Sequence, residues 1–151
     1  MSKPRFRAWR FHLPYLGAED QAPQGVESAE AGLRVAASGS IEMVEEEESV
    51  RQSVLLLLAT VPGERVMRPE YGCDLYRLVF SPNDDTTAGL AQHYVEQAVR
   101  RWEPRIQILR LDALRPDGDA GRLDIYLEYR VRATQATERL VFPLSLSGEK
   151  V

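Results

Sequence analysis

Apolar residues fall at helical spacing in two stretches of this chain and, with one slip of phase, at alternate positions in three others. Val50, Val54, Leu57, Leu58 and Val61 recur at three- and four-residue steps, which predicts a helix from near Glu45 to just before Pro62-Gly63. Four glutamates, Glu45 to Glu48, suit the positive end of that helix, and Pro-Gly cannot continue it. Leu55 and Leu56 widen the apolar stripe, so cover on more than one side is expected. Each large side chain fully buried there contributes about 1.5 to 3 kcal/mol. In the second stretch Ala91, Tyr94, Val95, Ala98, Val99 and Trp102 share one helical face. Asp84, Asp85 and Thr86 offer capping oxygens before it, and Pro104 disfavours helical geometry in the residue ahead of it.

Three stretches read as strands, two by clean alternation and one by an apolar run with a slip in its phase. Leu123, Ile125, Leu127, Tyr129 and Val131 alternate with Asp124, Tyr126, Glu128, Arg130 and Arg132, giving one buried and one wet face. Ile106 to Leu114 is apolar on both faces with a phase slip near Leu109, the pattern of a central strand or a bulge. Leu140, Phe142, Leu144 and Leu146 alternate too, and Pro143, which has no amide hydrogen, predicts a sheet edge. Residues 116–121 and 134–137 are short enough for hairpins. Between the helices, Gly63 to Pro69 predicts a turn and a short extended piece carrying Val66 and Met67, and Cys73 to Phe80 a brief helix closed by Ser81-Pro82. The fold class that follows is α+β: an antiparallel three-stranded meander with two main helices and a short third helix on one face. Its outer strand is either a hazard to be covered or a rail on which another subunit's strand can dock.

Residues 1–44 read differently, as an extended arm and linker ahead of a domain at 45–151. Trp9, Phe11 and Leu13 alternate, Pro14 follows, and a Gly, Ala, Ser and Gln rich stretch runs to Ser40. Short strands fit at residues 6–13 and 33–37, but apolar residues are too few for a separate core, so Trp9 and Phe11 must bury against the main domain or a partner. Lys3, Arg5, Arg7 and Arg10 make the start basic, whereas Glu42 and Glu45 to Glu48 form an acidic block. Two readings stand: a solvated tail with a helix start charged to suit its dipole, or a basic arm that docks on an acidic neighbour.

The totals narrow the function classes. A chain of 151 residues can bury a core without covalent staples, and its single cysteine, Cys73, excludes an internal disulfide and a zinc cage built on thiols. The longest apolar run, Val54 to Ala59, is far too short to span a bilayer, and no signal-peptide stretch is apparent. A net charge of −4 argues against nucleic acid, although Trp9 and Phe11 in the basic arm could stack on single-stranded bases.

Candidate chemistry is sparse. His12 and His93 lack ligand-spaced acids or thiols, so neither metal nor cofactor is expected, and no phosphate-cradling loop or nucleophile elbow is present. Cys73, without a nearby base, reads as a packing thiol. Glu64, Glu70 and Asp74 could serve a muramidase-like glycoside hydrolase, which needs paired acids. They are interleaved with Arg65, Arg68 and Arg77, whose charges favour ionised carboxylates, the reverse of what a general acid requires. Glu103-Pro104-Arg105 is either a helix stop with a local ion pair, or a rigid corner offering a carboxylate and a planar guanidinium to a partner, with Trp102 adding apolar contact area.

The wording V-R-Q-S-V-x-L-L-L-x-T-x-P-G-E-R at Val50 to Arg65, R-P-E-Y-G-C-D-L at Arg68 to Leu75, L-V-F at Leu78 to Phe80, W-E-P-R-I at Trp102 to Ile106 and L-V-F-P-L at Leu140 to Leu144 resembles the lysozyme-like baseplate wedge family. Its members occur in contractile phage tails, type VI secretion and extracellular contractile injection systems, and the wording is closer to the extracellular or phage-derived systems. The resemblance implies a structural, non-enzymatic subunit that joins larger baseplate wedge proteins, and templates the first ring of sheath protein by sharing strands. Spike, hub and inner tube proteins are further partners it brings into view. It also implies cytoplasmic assembly within a baseplate complex, with release as an extracellular particle left open. The partner-binding candidates are Trp102, Glu103, Pro104 and Arg105 at the corner, Arg65 and Arg68 in the turn, Leu140, Phe142 and Leu144 on the edge strand, and Trp9 and Phe11 in the arm.

Overall fold

The computed structural model describes residues 4–12 and 32–148, and within them two compact units, Met1–Ser53 and Val54–Val151. The boundary falls inside helix α1 (Glu46–Ala59). Lys3, Leu13, Pro14 and most of the Gly, Ala, Ser and Gln rich stretch lie outside the described residues, as does the side chain of His12.

The first unit is woven from short antiparallel pairings. Strand β1 (Arg7–Trp9) pairs with β4 (Met43–Glu45), β2 (Phe11–His12) pairs with β3 (Gly32–Leu33), and Val35 bridges Ile41. Arg10 carries the chain from one pairing to the other, donating its amide to the Glu42 carbonyl at 2.8 Å and accepting from the Arg34 amide at 3.0 Å. That change of partner leaves the Trp9 carbonyl and the Phe11 amide outside the ladder. The buried Gln52 side chain serves both, accepting from the Phe11 amide at 2.8 Å and donating to the Trp9 carbonyl at 2.7 Å.

The charge asymmetry resolves within the same unit. Arg7 meets Glu45 at 3.3 Å, and Arg10 meets Glu48 at 2.7 Å and Glu42 at 3.5 Å, with Arg34 adding a contact to Glu42 at 3.7 Å. The acidic neighbour of the basic arm is therefore the next segment of its own chain, and the solvated-tail reading does not hold for Arg7 and Arg10. The expected burial of the arm's aromatic residues is not met inside this unit: Trp9 stays 53% and Phe11 36% exposed.

The second unit holds the sheet. Strands β5 (Ile106–Leu114), β6 (Arg122–Val131) and β7 (Thr137–Ser145) form an antiparallel meander in the order β5-β6-β7, as their alternation predicts. The phase slip is a bulge between Ile108 and Arg110, with Leu109 turned out to solvent. Leu123, Ile125, Leu127, Tyr129 and Val131 of β6 are sealed from water, which makes β6 the spine of the core. Helix α2 (Asp85–Trp102) lies against β5 and β6, and a short 3₁₀ helix (Asp74–Leu78) lies against α2. The α2 cap is the one its sequence predicts: the Asp84 carboxylate accepts from the Thr87 amide at 2.8 Å. Cys73 is buried, its thiol reaching the Tyr94 carbonyl at 3.5 Å and pushed up to about 11 by burial.

On the outward face of the sheet, Arg–acid pairs two residues apart replace simple solvation. Arg122 grips Asp124 through two bonds of 2.6 and 2.9 Å, so that an aspartate on the nominally wet face is only 4% exposed. Arg110 holds Asp112 through a single bond of 2.6 Å.

Candidate functional site

Two motifs some thirty residues apart in sequence converge beside the C-terminus of α2. Glu103 ends that helix, donating its amide to the Val99 carbonyl at 2.9 Å, and Pro104 prevents a further turn. The corner is tied down from the β6 end, where Arg132 donates its amide to the Arg105 carbonyl at 2.9 Å and its Nε to the Pro104 carbonyl at 3.2 Å.

Within the corner Arg105 closes on Glu103 as a two-pronged fork, Nε to Oε1 at 2.6 Å and Nη2 to Oε2 at 2.7 Å. Glu103 is buried at 4% exposure, while the Arg105 side chain remains about one-third open, its pKa raised by this bond to Glu103. The carboxylate is therefore not offered outward: of the two readings of the motif, the helix stop with a local ion pair describes Glu103. A buried anion needs a partner, and the guanidinium two residues on is placed to supply it. What the corner can present is the open side of Arg105 and the exposed Pro104.

Trp102 is likewise engaged inside the chain. Its ring meets Tyr71 edge to face with centroids 5.4 Å apart, and the Arg101 guanidinium lies 4.9 Å from it. Arg65 covers Tyr71 from another direction at 4.1 Å, and Arg101 pairs with Glu70. Burial raises the Tyr71 hydroxyl above its ordinary pKa, against the lowering effect of Arg65. The stack Arg65, Tyr71, Trp102, Arg101 thus joins the R-P-E-Y-G turn to the W-E-P-R corner. Tyr71, Arg101 and Arg132 are not marked as site residues by the sequence, although Tyr71 stands within the R-P-E-Y-G motif. Arg101 carried a faint signal as a cation in the last turn of a helix beside a tryptophan, and Arg132 carried none.

Gly72 sets how closely the turn approaches. With φ at +143°, a Cβ there would lie 2.5 Å from the Thr60 carbonyl oxygen and 2.8 Å from the Pro62 nitrogen. Only glycine allows Cys73 to donate its amide to Thr60 at 2.9 Å from this position. The acids of the turn are occupied: Glu64 accepts from the Val61 amide at 3.0 Å, Glu70 holds Arg101, and Asp74 faces Arg77 at 3.8 Å. Glu70 borders a depression of about 90 Å³. A shallow groove of about 430 Å³ on α2 is lined by His93, Glu96, Gln97, Arg100 and Arg101, and its only acid, Glu96, pairs with Arg100 at 2.6 Å.

The remaining predicted residues lie elsewhere. Arg65 and Arg68 flank a turn whose Arg68 amide donates to the Arg65 carbonyl at 3.2 Å. Leu140, Phe142 and Leu144 are buried on the core side of β7, so their side chains do not face a docking strand. The edge itself is backbone. Leu146 donates its amide to Gly121 across the sheet at 2.7 Å, and alternation then directs the amides of Leu144, Phe142 and Leu140 toward β6. Arg139, Val141, Pro143 and Ser145 turn their backbone groups outward, so proline occurs where no ladder bond is lost. Trp9 and Phe11 belong to the first unit.

Known proteins resemble this chain in sequence and fold. A protein from Geobacter sulfurreducens, assigned as a candidate tail lysozyme, superposes with a TM-score of 0.63 at 42% identity, over 69% of this chain and 94% of that one. A chain of the anti-feeding prophage baseplate superposes with a TM-score of 0.63 at 25% identity, over 66% of this chain and 80% of that one. The baseplate wedge protein gp25 of Enterobacteria phage T4 is 36% identical over 66 residues, which span 44% of this chain and half the length of the phage protein. The family model described as Baseplate wedge protein gp25 matches residues 44–136, taking in α1, the R-P-E-Y-G turn, α2, the E-P-R corner, β5 and β6, and the chain belongs to that family of baseplate proteins of contractile tail-like systems.

Proposed function

We propose that this chain is a structural, non-enzymatic wedge subunit. It joins larger wedge proteins at the Trp102 to Arg105 corner together with Arg65 and Arg68, and it offers the outer edge of β7 to the sheath protein as a template for the first ring. In this reading residues 45–151 are the wedge domain and residues 1–44 an added arm, with Trp9 and Phe11 covered by a partner. Assembly takes place in the cytoplasm, in a particle of the extracellular injection type, with spike, hub or tube proteins as more distant neighbours.

The observation that carries the reading is the corner. A rigid elbow held by the Glu103–Arg105 fork, by Arg132 and by the Tyr71–Trp102 stack has its ordering cost already met before any partner arrives. Simple truncation is a poor test, because Arg105→Ala would strand a buried carboxylate at about 3 to 5 kcal/mol. The double variant Glu103→Gln with Arg105→Gln replaces the ionic fork with a neutral amide pair. It is expected to remain folded by circular dichroism while assembled particles are lost. Normal particle recovery from a folded double variant would remove the corner from the joint.

A hydrolase reading has one observation in its favour, the assignment given to the Geobacter sulfurreducens protein. Against it, Glu64 and Glu70 are tied to a backbone amide and to Arg101. Peptidoglycan turnover by purified protein that vanishes in Glu64→Gln or Glu70→Gln would establish that reading instead.

A further inference from the structure

Val66 and Met67 are the middle residues of the Arg65–Arg68 turn, and they are 94% and 90% exposed. Such positions ordinarily hold Gly, Pro, Asn, Asp or Ser, each for a local conformational reason. A β-branched residue followed by methionine gains nothing from the turn itself. So nearly solvated, the pair buries little apolar surface in this chain and leaves it available for a contact outside it.

The turn is braced on every side. Gly63 donates its amide to the Pro69 carbonyl at 2.7 Å, Tyr71 to the Arg68 carbonyl at 3.1 Å, and Glu64 reaches back to the Val61 amide. Arg65 is laid on Tyr71, Tyr71 is set against Trp102, and Gly72 locks the base against Thr60 and Pro62. An apolar tip on a braced turn can bind without ordering a loop first.

Charge indicates what receives it. Arg65 and Arg68 are exposed at the two ends of the tip. Glu64 is turned back onto the Val61 amide and Glu70 is paired with Arg101 of α2, so these three arginines and two glutamates leave one net positive charge around the tip. An anionic membrane is disfavoured, because two side chains bury little area and the chain carries a net charge of −4.

We propose that Val66 and Met67 form a plug that seats in an apolar socket rimmed by aspartate or glutamate on another baseplate protein. The proposal rests on the wedge reading above and adds to it a second contact point with a stated chemistry.

Thiol protection tests it. Val66→Cys places a reactive group on the tip, while the native Cys73 is buried with its pKa pushed up to about 11 and stays unlabelled at neutral pH. Maleimide should label the introduced thiol quickly in the free chain and at least about tenfold more slowly in purified particles, since thiolate chemistry requires access. A benzophenone carried on that thiol should cross-link, in particles, to a different baseplate protein at an apolar peptide containing Asp or Glu. Arg68→Glu should lower incorporation of the chain, and Met67→Asp should do so with the fold intact. Equal labelling in free chain and particles would overturn the proposal. So would cross-linking to a second copy of this chain, or flotation of the wild-type chain with anionic vesicles but not of Met67→Asp. Failure of the wedge reading looks different: wild-type chain would be absent from the particles altogether.

Discussion

At Gln52 one amide side chain does the work of two ladder bonds. The change of partner at Arg10 leaves a carbonyl and an amide unpaired, and the NH2 and carbonyl oxygen of Gln52 lie at the right separation to serve both. Gln52→Leu keeps the volume and removes both bonds, which is expected to cost about 1 to 3 kcal/mol. Hydrogen exchange at the Phe11 amide should quicken markedly while amides in β6 hold. Unchanged exchange at Phe11 would mean that the Gln52 bond does not persist in solution. Nothing in the spacing of the sequence marks Gln52, because it lies in a helix rich in leucine and its partners are more than forty residues away. The (i, i+2) Arg–acid forks were half legible. Glu103-Pro104-Arg105 reads as a pair or as a presented corner from sequence, and only burial of Glu103 distinguishes them.

Among the elements, β7 shows most plainly how a local residue marks a sheet edge, the edge to which the proposed sheath contact is assigned. Pro143 predicts an edge, and the register explains why proline is tolerated: its backbone belongs to the outward set with Arg139, Val141 and Ser145. Val141→Pro would remove one outward amide and leave the bonds to β6 in place. The variant is expected to remain folded, with little loss of thermal stability, and to fail in sheath recruitment when particles are assembled. Full sheath recruitment by a folded Val141→Pro chain would exclude strand addition at this edge. Phe142→Pro, which removes an inward donor and a core side chain, should instead unfold the sheet. The helices were readable for other reasons. Asp84, the apolar repeat of α2 and Pro104 fix that element locally, whereas α1 ends at Ala59, short of its expected limit at Val61, because Val61 gives its amide to Glu64.

For the whole molecule, net charge says less than its distribution. The basic start and the acidic block neutralise each other inside the first unit through exposed pairs, each worth about 0.2 to 1 kcal/mol and open to screening. At about 1 M salt the screening length falls to about 3 Å. Exchange of amides in residues 7–12 should then accelerate, while those of β6, held by apolar burial, should not. Equal response in both regions would indicate that the arm is held by something other than these charges.

The sequence by itself determined the helices, the meander and its proline-marked edge, because each follows from a period or a stop signal confined to neighbouring residues, while the slip near Leu109 stayed open between a central strand and a bulge until the pairing of β5 decided it. It also carried the family resemblance, through motifs whose spacing survives without knowledge of the fold. Tertiary structure alone decided which charges meet and which side chains are used up internally. The arm's arginines find glutamates more than thirty residues on, Trp102 is covered by Tyr71 and Arg101, and Glu103 turns inward. It also left Val66 and Met67 bare. Contacts of that kind depend on where distant segments are brought by the packing of the core, and periodicity along a chain holds no record of them.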